Sequence, residues 1–277
     1  MMLEATFNKL YQLKLHGMAR ALEEQISQAI YGDLSFEERL GLLVDREITE
    51  RDNRKLTNLL KGAKLRFPNA CPEDIDFRTP RGLSKNAVLS LCQNGWVTAK
   101  QNIIITGPTG TGKSYLSCAL GVSACRAGLS TFYQRLPRLL QELNIARADG
   151  TYGKLLARIA KYAVLIVDDW GLAKLVDRER RDILEILEDR HNLTSTIISS
   201  QIPVDKWHDL IGDPTIADAV LDRLVHNAHT ITMKGEESMR KIMAKRASQQ
   251  HVERTEVPAA TFNSSAETSE DITNSWP

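Results

Sequence analysis

Over the first 30 residues, Leu3, Phe7, Leu10, Tyr11, Leu15, Met18, Leu22, Ile26 and Ile30 recur at intervals of three and four. That spacing draws one apolar stripe along a helix. A second helix is announced by "SFEE": Ser35 supplies a cap and Glu38, three residues on, completes a capping box. Phe36, Leu40, Leu43, Val44 and Ile48 then share a face. The pattern lapses in "FPNACPEDIDFRTPRG", whose three prolines read as a linker, and a short helix comes next over Lys85 to Gln93. From Asn102 the period changes. Apolar runs "NIIIT", "STFY", "AVLIVD", "STIIS" and "HTITM" alternate with helical stretches, the second of which reads as a pair of helices. Five strands alternating with helices predict an α/β fold, a parallel sheet covered on both faces. From about Gln249 the chain is rich in Ser, Thr and Glu, and no packed structure is expected there.

Two of the strands end in chemistry. After "NIIIT" comes "GPTGTGKS", Gly107 to Ser114, which fits G-x-x-x-x-G-K-S between a strand and a helix. Glycines let such a loop turn its N–H groups toward phosphate oxygens, and the helix after it adds the positive end of its dipole. The candidate nucleotide contacts are Gly107, Pro108, Thr109, Gly110, Thr111, Gly112, Lys113, Ser114 and Tyr115. Lys113 suits the β- and γ-phosphates of ATP, and the Ser114 hydroxyl suits Mg2+. The strand "AVLIVD" ends in Asp168 and Asp169. Adjacent carboxylates repel, but a metal between them and the phosphates would offset that. Asp168 is the candidate metal-shell acid and Asp169 the group to orient or deprotonate water. Asp is one methylene shorter than Glu, which points to slow, regulated hydrolysis. The strand "STIIS" ends in Ser200 and Gln201, either of which is placed to sense the γ-phosphate; a plain turn is the alternative. In "DPTIADAVLDRLVHNAH", Asp213 caps and Pro214 opens a helix with Ile216, Val220, Leu221 and Leu224 on its apolar face. Arg223 points elsewhere, either a solvated charge or an arginine reaching a neighbour's γ-phosphate. Arg240 is a sensor candidate in cis, or simply part of a basic surface helix.

Composition narrows the classes. Hydrophobic content of 42% and charged content of 26% suit a globular protein, and the net charge of +1 gives no global nucleic-acid signature. Basic charge is local. Arg51, Arg54, Lys55, Lys61, Lys64 and Arg66 are opposed by Asp52 alone within residues 51–66. The run reads as a solvated face or as a phosphate-binding one. Cys71, Cys92, Cys118 and Cys125 form no C-x-x-C pair, which suggests reduced thiols, and His226 and His229 lack nearby partners for a metal. With no signal peptide and no apolar run of about 18 residues, the expected location is the cytoplasm.

The segments "LKLHGMARALEEQ", "LSFEERLGLLVDRE", "ACPEDIDFRTPRGL", "ITGPTGTGKS", "RLPRLLQELNIARADGTY", "VDDWGL", "TSTIISSQIPVDKWHDLIGDPTIADAVLDRLVHNAH" and "KGEESMRK" resemble, in order, the IstB family of insertion-sequence ATP-binding proteins, over about residues 1 to 245. The core of that family looks like the helicase loader DnaC. The resemblance implies an AAA+ P-loop NTPase core with a five-stranded parallel sheet over residues 101–247. Before it come a small all-helical domain for DNA binding or oligomerisation over 1–66 and a linker over 67–100; the tail is 248–277. It also implies an ATPase that oligomerises on duplex DNA, with ATP sites between subunits, and recruits a transposase. By motif position it makes Arg223 the arginine finger and Arg240 the second sensor, and it favours phosphate binding for the run from Arg51 to Arg66. Arg135, Arg138, Arg147 and Lys154, on the helices after the second strand, become secondary DNA candidates. A replicative helicase loader and a small-molecule kinase are the competing functions. The basic N-terminal helices and the lack of an acceptor lid weigh against the kinase.

Overall fold

The structure, a computed structural model, describes residues 2–235, 237–242 and 244. Residues 1–238 form one compact unit, and a second begins at Met239. The tail from Gln249 lies outside the described residues.

The N-terminal stripe is broken in two: α1 (Met2–Gln12) and α2 (His16–Ser27) meet at Lys14, whose φ of 60° is left-handed. Apolar periodicity alone does not see such a break. α3 (Phe36–Ala63) begins on the predicted capping box, Ser35 accepting from the Glu38 N–H and Glu38 from the Ser35 N–H. α2 has no side-chain cap of its own; instead the Glu47 carboxylate on α3 accepts from the N–H groups of Gly17 and Met18 at 2.7 and 3.2 Å. Burial alone would raise the Glu47 pKa, but the Arg51 hydrogen bond and these amides outweigh it and lower it.

The stretch read as a linker packs onto the rest: Ala70, Ile75, Trp96 and Val97 are buried. It carries α4 (Lys85–Cys92) and the short α5 (Gly95–Thr98). Next comes the sheet: β1 (Asn102–Thr106), β2 (Thr131–Arg135), β3 (Val164–Trp170), β4 (Ser195–Ser200) and β5 (Ala228–Thr232). All are parallel, in the order β2-β3-β4-β1-β5. β1, β3 and β4 lie inside the sheet and are buried nearly throughout, which is why residues 103–105 and 164–167 read as unbroken apolar runs, while β4 buries Ser and Thr on either side of Ile197 and Ile198. Ile103 and Ile105 face a core formed with α6 (Lys113–Arg126) and the former linker. Ile104 faces the opposite core, formed with α7 (Leu136–Ala148), α8 (Tyr152–Ala160), α9 (Asp177–Arg190), α10 (Trp207–Ile211) and α11 (Pro214–Val225). The predicted helix pair after β2 is α7 and α8. α10, after β4, is a helix the apolar pattern did not announce.

Arg190 is a fixed point of the second core. It is 2% exposed and donates to the carbonyls of Ile159, Tyr162 and Ser195 and to the Thr196 hydroxyl. Burial pulls its pKa down to about 9. It joins the end of α8 to the start of β4, and its bonds to the Ile159 and Ser195 carbonyls are buried. Arg190→Met should therefore lower unfolding stability by about 3 kcal/mol, as read from denaturant midpoints, because three carbonyls, two of them in buried contacts, lose their donor.

Candidate nucleotide-phosphate site

The carboxyl ends of β1, β3 and β4 converge, the position where open α/β sheets bind ligands. The Gly107 N–H donates to the Ser200 carbonyl at 3.2 Å, so the loop leaves β1 fastened to the end of β4. Gly107 has a φ of 146°, and a Cβ there would stand 2.3 Å from the Met233 carbonyl oxygen. Main chain leaving β5 thus passes directly against the loop, and a side chain at Gly107 is excluded. Met233 in turn donates its N–H to the Thr106 carbonyl at 2.7 Å. Lys113 opens α6 and folds back across the loop, Nζ reaching the carbonyls of Gly107 and Pro108 at 2.7 and 2.8 Å. Burial depresses its pKa, against the opposing pull of Asp168 and Asp169. Ser114 sits next to it in the first turn, half-buried.

Asp168 is 1% exposed. It accepts from the Tyr133 hydroxyl at 2.6 Å, from β2, and from the Ser199 hydroxyl, from β4. Burial, then the bond to Asp168, holds the Tyr133 phenol far above its ordinary pKa. An Arg66 nitrogen lies 3.8 Å from the same carboxylate. Asp169 is re-aimed by a bulge. Between Val167 and Trp170 β3 advances three residues while β4 advances two, from Ile198 to Ser200. Asp169 itself takes a φ of 59°. In a regular strand the two acids would point to opposite faces; the extra residue redirects the second. Its carboxylate meets Arg135 Nε at 2.5 Å, and that bond raises the Arg135 pKa.

The cradle fits a nucleotide on its own evidence: positive-φ glycines at 107, 110 and 112, a lysine folded over carbonyls, and a helix start behind them. Among the described residues no group of three or more His, Cys, Asp or Glu could hold a metal. A hydroxyl and one acid beside phosphates is the donor set for Mg2+, which keeps waters and phosphate oxygens rather than a protein cage.

Of the two γ-phosphate sensor candidates, Gln201 touches the phosphate loop, its Oε1 accepting from the Thr109 hydroxyl at 2.5 Å. The Ser200 hydroxyl is occupied elsewhere, donating to the Trp170 carbonyl and accepting from the Ile202 N–H. Tyr115 turns to the former linker: its hydroxyl accepts from the Cys71 N–H and its ring packs 5.9 Å from Phe67. Arg223 lies on α11, the helix expected from the sequence, but its guanidinium donates to Glu188 on α9 at 2.5 Å and to the Ala219 carbonyl at 2.7 Å. Arg240 belongs to the unit that begins at Met239.

The basic run is divided. Arg51 pairs with Glu47 and Arg54 with Glu50, one turn apart on α3, and Arg66 faces Asp168. Lys64 ends α3 in a left-handed cap and lies over the Phe132 ring. Lys55 lies beside Gly128, and Lys61 is exposed in the last turn. Of the secondary candidates, Arg147 is committed to Asp182 and the Tyr152 ring, Arg135 to Asp169, and Arg138 to Glu142; Lys154 is exposed. His226 faces Asp222, and His229 meets Gln101. The four cysteines are free thiols, and burial pushes Cys118 up to about 11. No described helix is long and apolar enough to cross a membrane.

Sequence reasoning missed Tyr133, Ser199 and Arg81. Arg81 is buried, and it donates to the Thr111 carbonyl inside the phosphate loop and to the Asp76 carbonyl, both at 2.8 Å. No local motif marks any of the three; strand order and linker packing bring them to the site.

Known proteins resemble this chain in sequence and in fold. An insertion sequence ATP-binding protein of Sinorhizobium fredii, y4pL, is 50% identical over 236 residues, covering 85% of this chain and 96% of that one. The IS21 ATP-binding protein of Pseudomonas aeruginosa is 30% identical, over 82% and 85% of the two chains. Among solved structures, DnaA from Aquifex aeolicus bound to AMPPCP matches with a TM-score of 0.54 at 19% identity, over 66% of this chain and 56% of that one. The DnaC helicase loader matches with a TM-score of 0.50 at 22% identity, over 61% and 99%. These structures share the AAA+ P-loop fold with this chain. The family described as IstB-like ATP binding protein matches residues 8–247, and the chain belongs to it.

Proposed function

We propose that this protein is an ATP- and Mg2+-dependent regulator of DNA transposition that assembles on duplex DNA, hydrolyses ATP slowly and recruits a cognate transposase. The convergence of loop 107–114, Asp168–Asp169 and Gln201 at one end of the sheet carries the nucleotide part of the reading. The relatives named as insertion sequence ATP-binding proteins support the transposition part.

When bound, Mg2+ would draw charge from the phosphates, with Ser114 and Asp168 as its protein-side holders. This chain's residues do the rest. Lys113 must leave the carbonyls of Gly107 and Pro108 for phosphate oxygens, a short swing for a terminal amine. Asp168 is held in place by Tyr133 and Ser199, so it needs no reorganisation. Arg135 Nε occupies Oδ2 of Asp169 at 2.5 Å, so its release would free that oxygen to take a water proton. Arg223 can reach a neighbouring subunit only by leaving Glu188. Arg240 would add a cation in cis. Each release is a step that assembly can gate, which is the physical case for slow hydrolysis.

For DNA, the paired arginines are the weaker candidates. Lys55, Lys61 and Lys64 are the freer cations at the end of α3, and they suit sequence-tolerant phosphate contacts.

Electron microscopy with duplex DNA, with and without ATP, tests the central reading: ATP-dependent assemblies on DNA are expected. Assembly only in the presence of a helicase would replace it with the loader reading. Asp169→Asn should cut the steady-state ATPase rate about 100-fold and leave ATP affinity unchanged. In fluorescence anisotropy, Lys61→Glu with Lys64→Glu should weaken duplex binding. The salt dependence should become shallower by ~0.9 in log–log slope for each DNA phosphate that the variant ceases to neutralise.

A further inference from the structure

We infer that Arg81 is a positioning residue for the nucleotide's phosphates: it orients the Gly112 N–H by gripping the peptide in front of it. The inference rests on reading loop 107–114 as a phosphate cradle and goes beyond it by assigning a residue outside every motif in the chain.

The geometry is specific. Arg81 is 6% exposed and spans two segments. Nη1 donates to the Thr111 carbonyl and Nη2 to the Asp76 carbonyl, each at 2.8 Å. The described chain holds no cis peptide, so the carbonyl of Thr111 and the N–H of Gly112 point in opposite directions from one rigid plane. Fixing that carbonyl against Arg81 therefore aims the Gly112 N–H away from the linker, toward the phosphate side.

The pin is needed because the next residue is loose. Gly112 has a φ of 98°, a conformation open to glycine that side-chain residues rarely adopt. Glycine does not enforce it, since it populates both signs of φ about equally. The loop thus has freedom at the peptide whose N–H must be aimed, and the restraint comes from outside. Thr111 contributes from within: it is 2% exposed and its hydroxyl donates to the Pro108 carbonyl at 2.9 Å. Arg81 is itself immobilised by its own main chain, its carbonyl accepting from the Lys234 N–H at 2.9 Å just beyond β5. The guanidinium makes this bridge with two separate nitrogens of one rigid plane, whereas a lysine offers a single nitrogen on a flexible stem and gives up that fixed geometry. The buried positive charge behind the 111–112 peptide also favours an anion in front of it.

The test is equilibrium binding of ADP to the full chain, joined to amide hydrogen exchange. Arg81→Met should weaken ADP binding about tenfold or more. At saturating ADP it should lose protection of the Gly112 amide while the rest of the loop stays protected, a local readout that general destabilisation would not produce. If Arg81→Met does not fold, Arg81→Lys carries the test: it keeps the charge, loses the bridge and should still weaken ADP. Wild-type affinity and Gly112 protection in Arg81→Lys, or in a folded Arg81→Met, would overturn the assignment. Failure of the wild-type protein to bind ADP would instead remove the cradle reading on which it rests.

Discussion

A carboxylate buried in the middle of a parallel sheet governs this structure. Asp168 is 1% exposed, and taking one such charge out of water costs several kcal/mol unless hydrogen bonds and cations replace the lost solvent. The replacements come from every side: Tyr133 on β2, Ser199 on β4, Arg66 at the exit of α3, and the field of Lys113 from the loop after β1. The order β2-β3-β4-β1 makes them neighbours. Separating β2 or β4 from β3 would take away the Tyr133 or the Ser199 hydroxyl. The fold and the polarity of the site are in this sense one constraint.

That constraint explains what could be read from the chain. The loop 107–114 and the acids at 168 and 169 lie in contiguous segments whose chemistry is local, so their spacing discloses them. β1 and β3 were the most legible strands because burial on both faces fills them with apolar residues, whereas β4 is apolar only at Ile197 and Ile198 and the edge strand β5 is partly exposed. Tyr133, Ser199 and Arg81 were not, since each is unremarkable in its own segment and becomes a site residue only through a contact made across the fold. The division of α1 from α2 was hidden for a related reason. Lys14 interrupts the helix without interrupting the apolar period, and the amide groups freed at the start of α2 are satisfied by Glu47, about thirty residues away.

Charge was the least legible property. Counting cations from Arg51 to Arg66 suggested one phosphate-binding face. Three of the six carry acidic partners: two sit one helical turn from a glutamate on α3, and the third faces the buried acid. The arginine ends are about half exposed while Glu47 and Asp168 are buried, so drawing Arg51 or Arg66 to a phosphate leaves a buried acid short of a partner and costs more than opening a solvated pair. Pairing therefore ranks the candidates and leaves none ineligible. Ile30, in the turn between α2 and α3, and Phe36, at the start of α3, are exposed by about three quarters of their surface.

Asp169 is where fold and charge meet. The bulge that redirects it also delivers it to Arg135, so the group best placed to act on water is held by a cation from the neighbouring strand. A longer acid could reach past that contact while its backbone stayed fixed; aspartate has less reach, and its freedom depends on Arg135 moving. Arg135 is about half exposed and stands beside the helices after β2. On the proposed reading, the short side chain makes hydrolysis conditional on Arg135, because that residue's Nε occupies Oδ2 of Asp169.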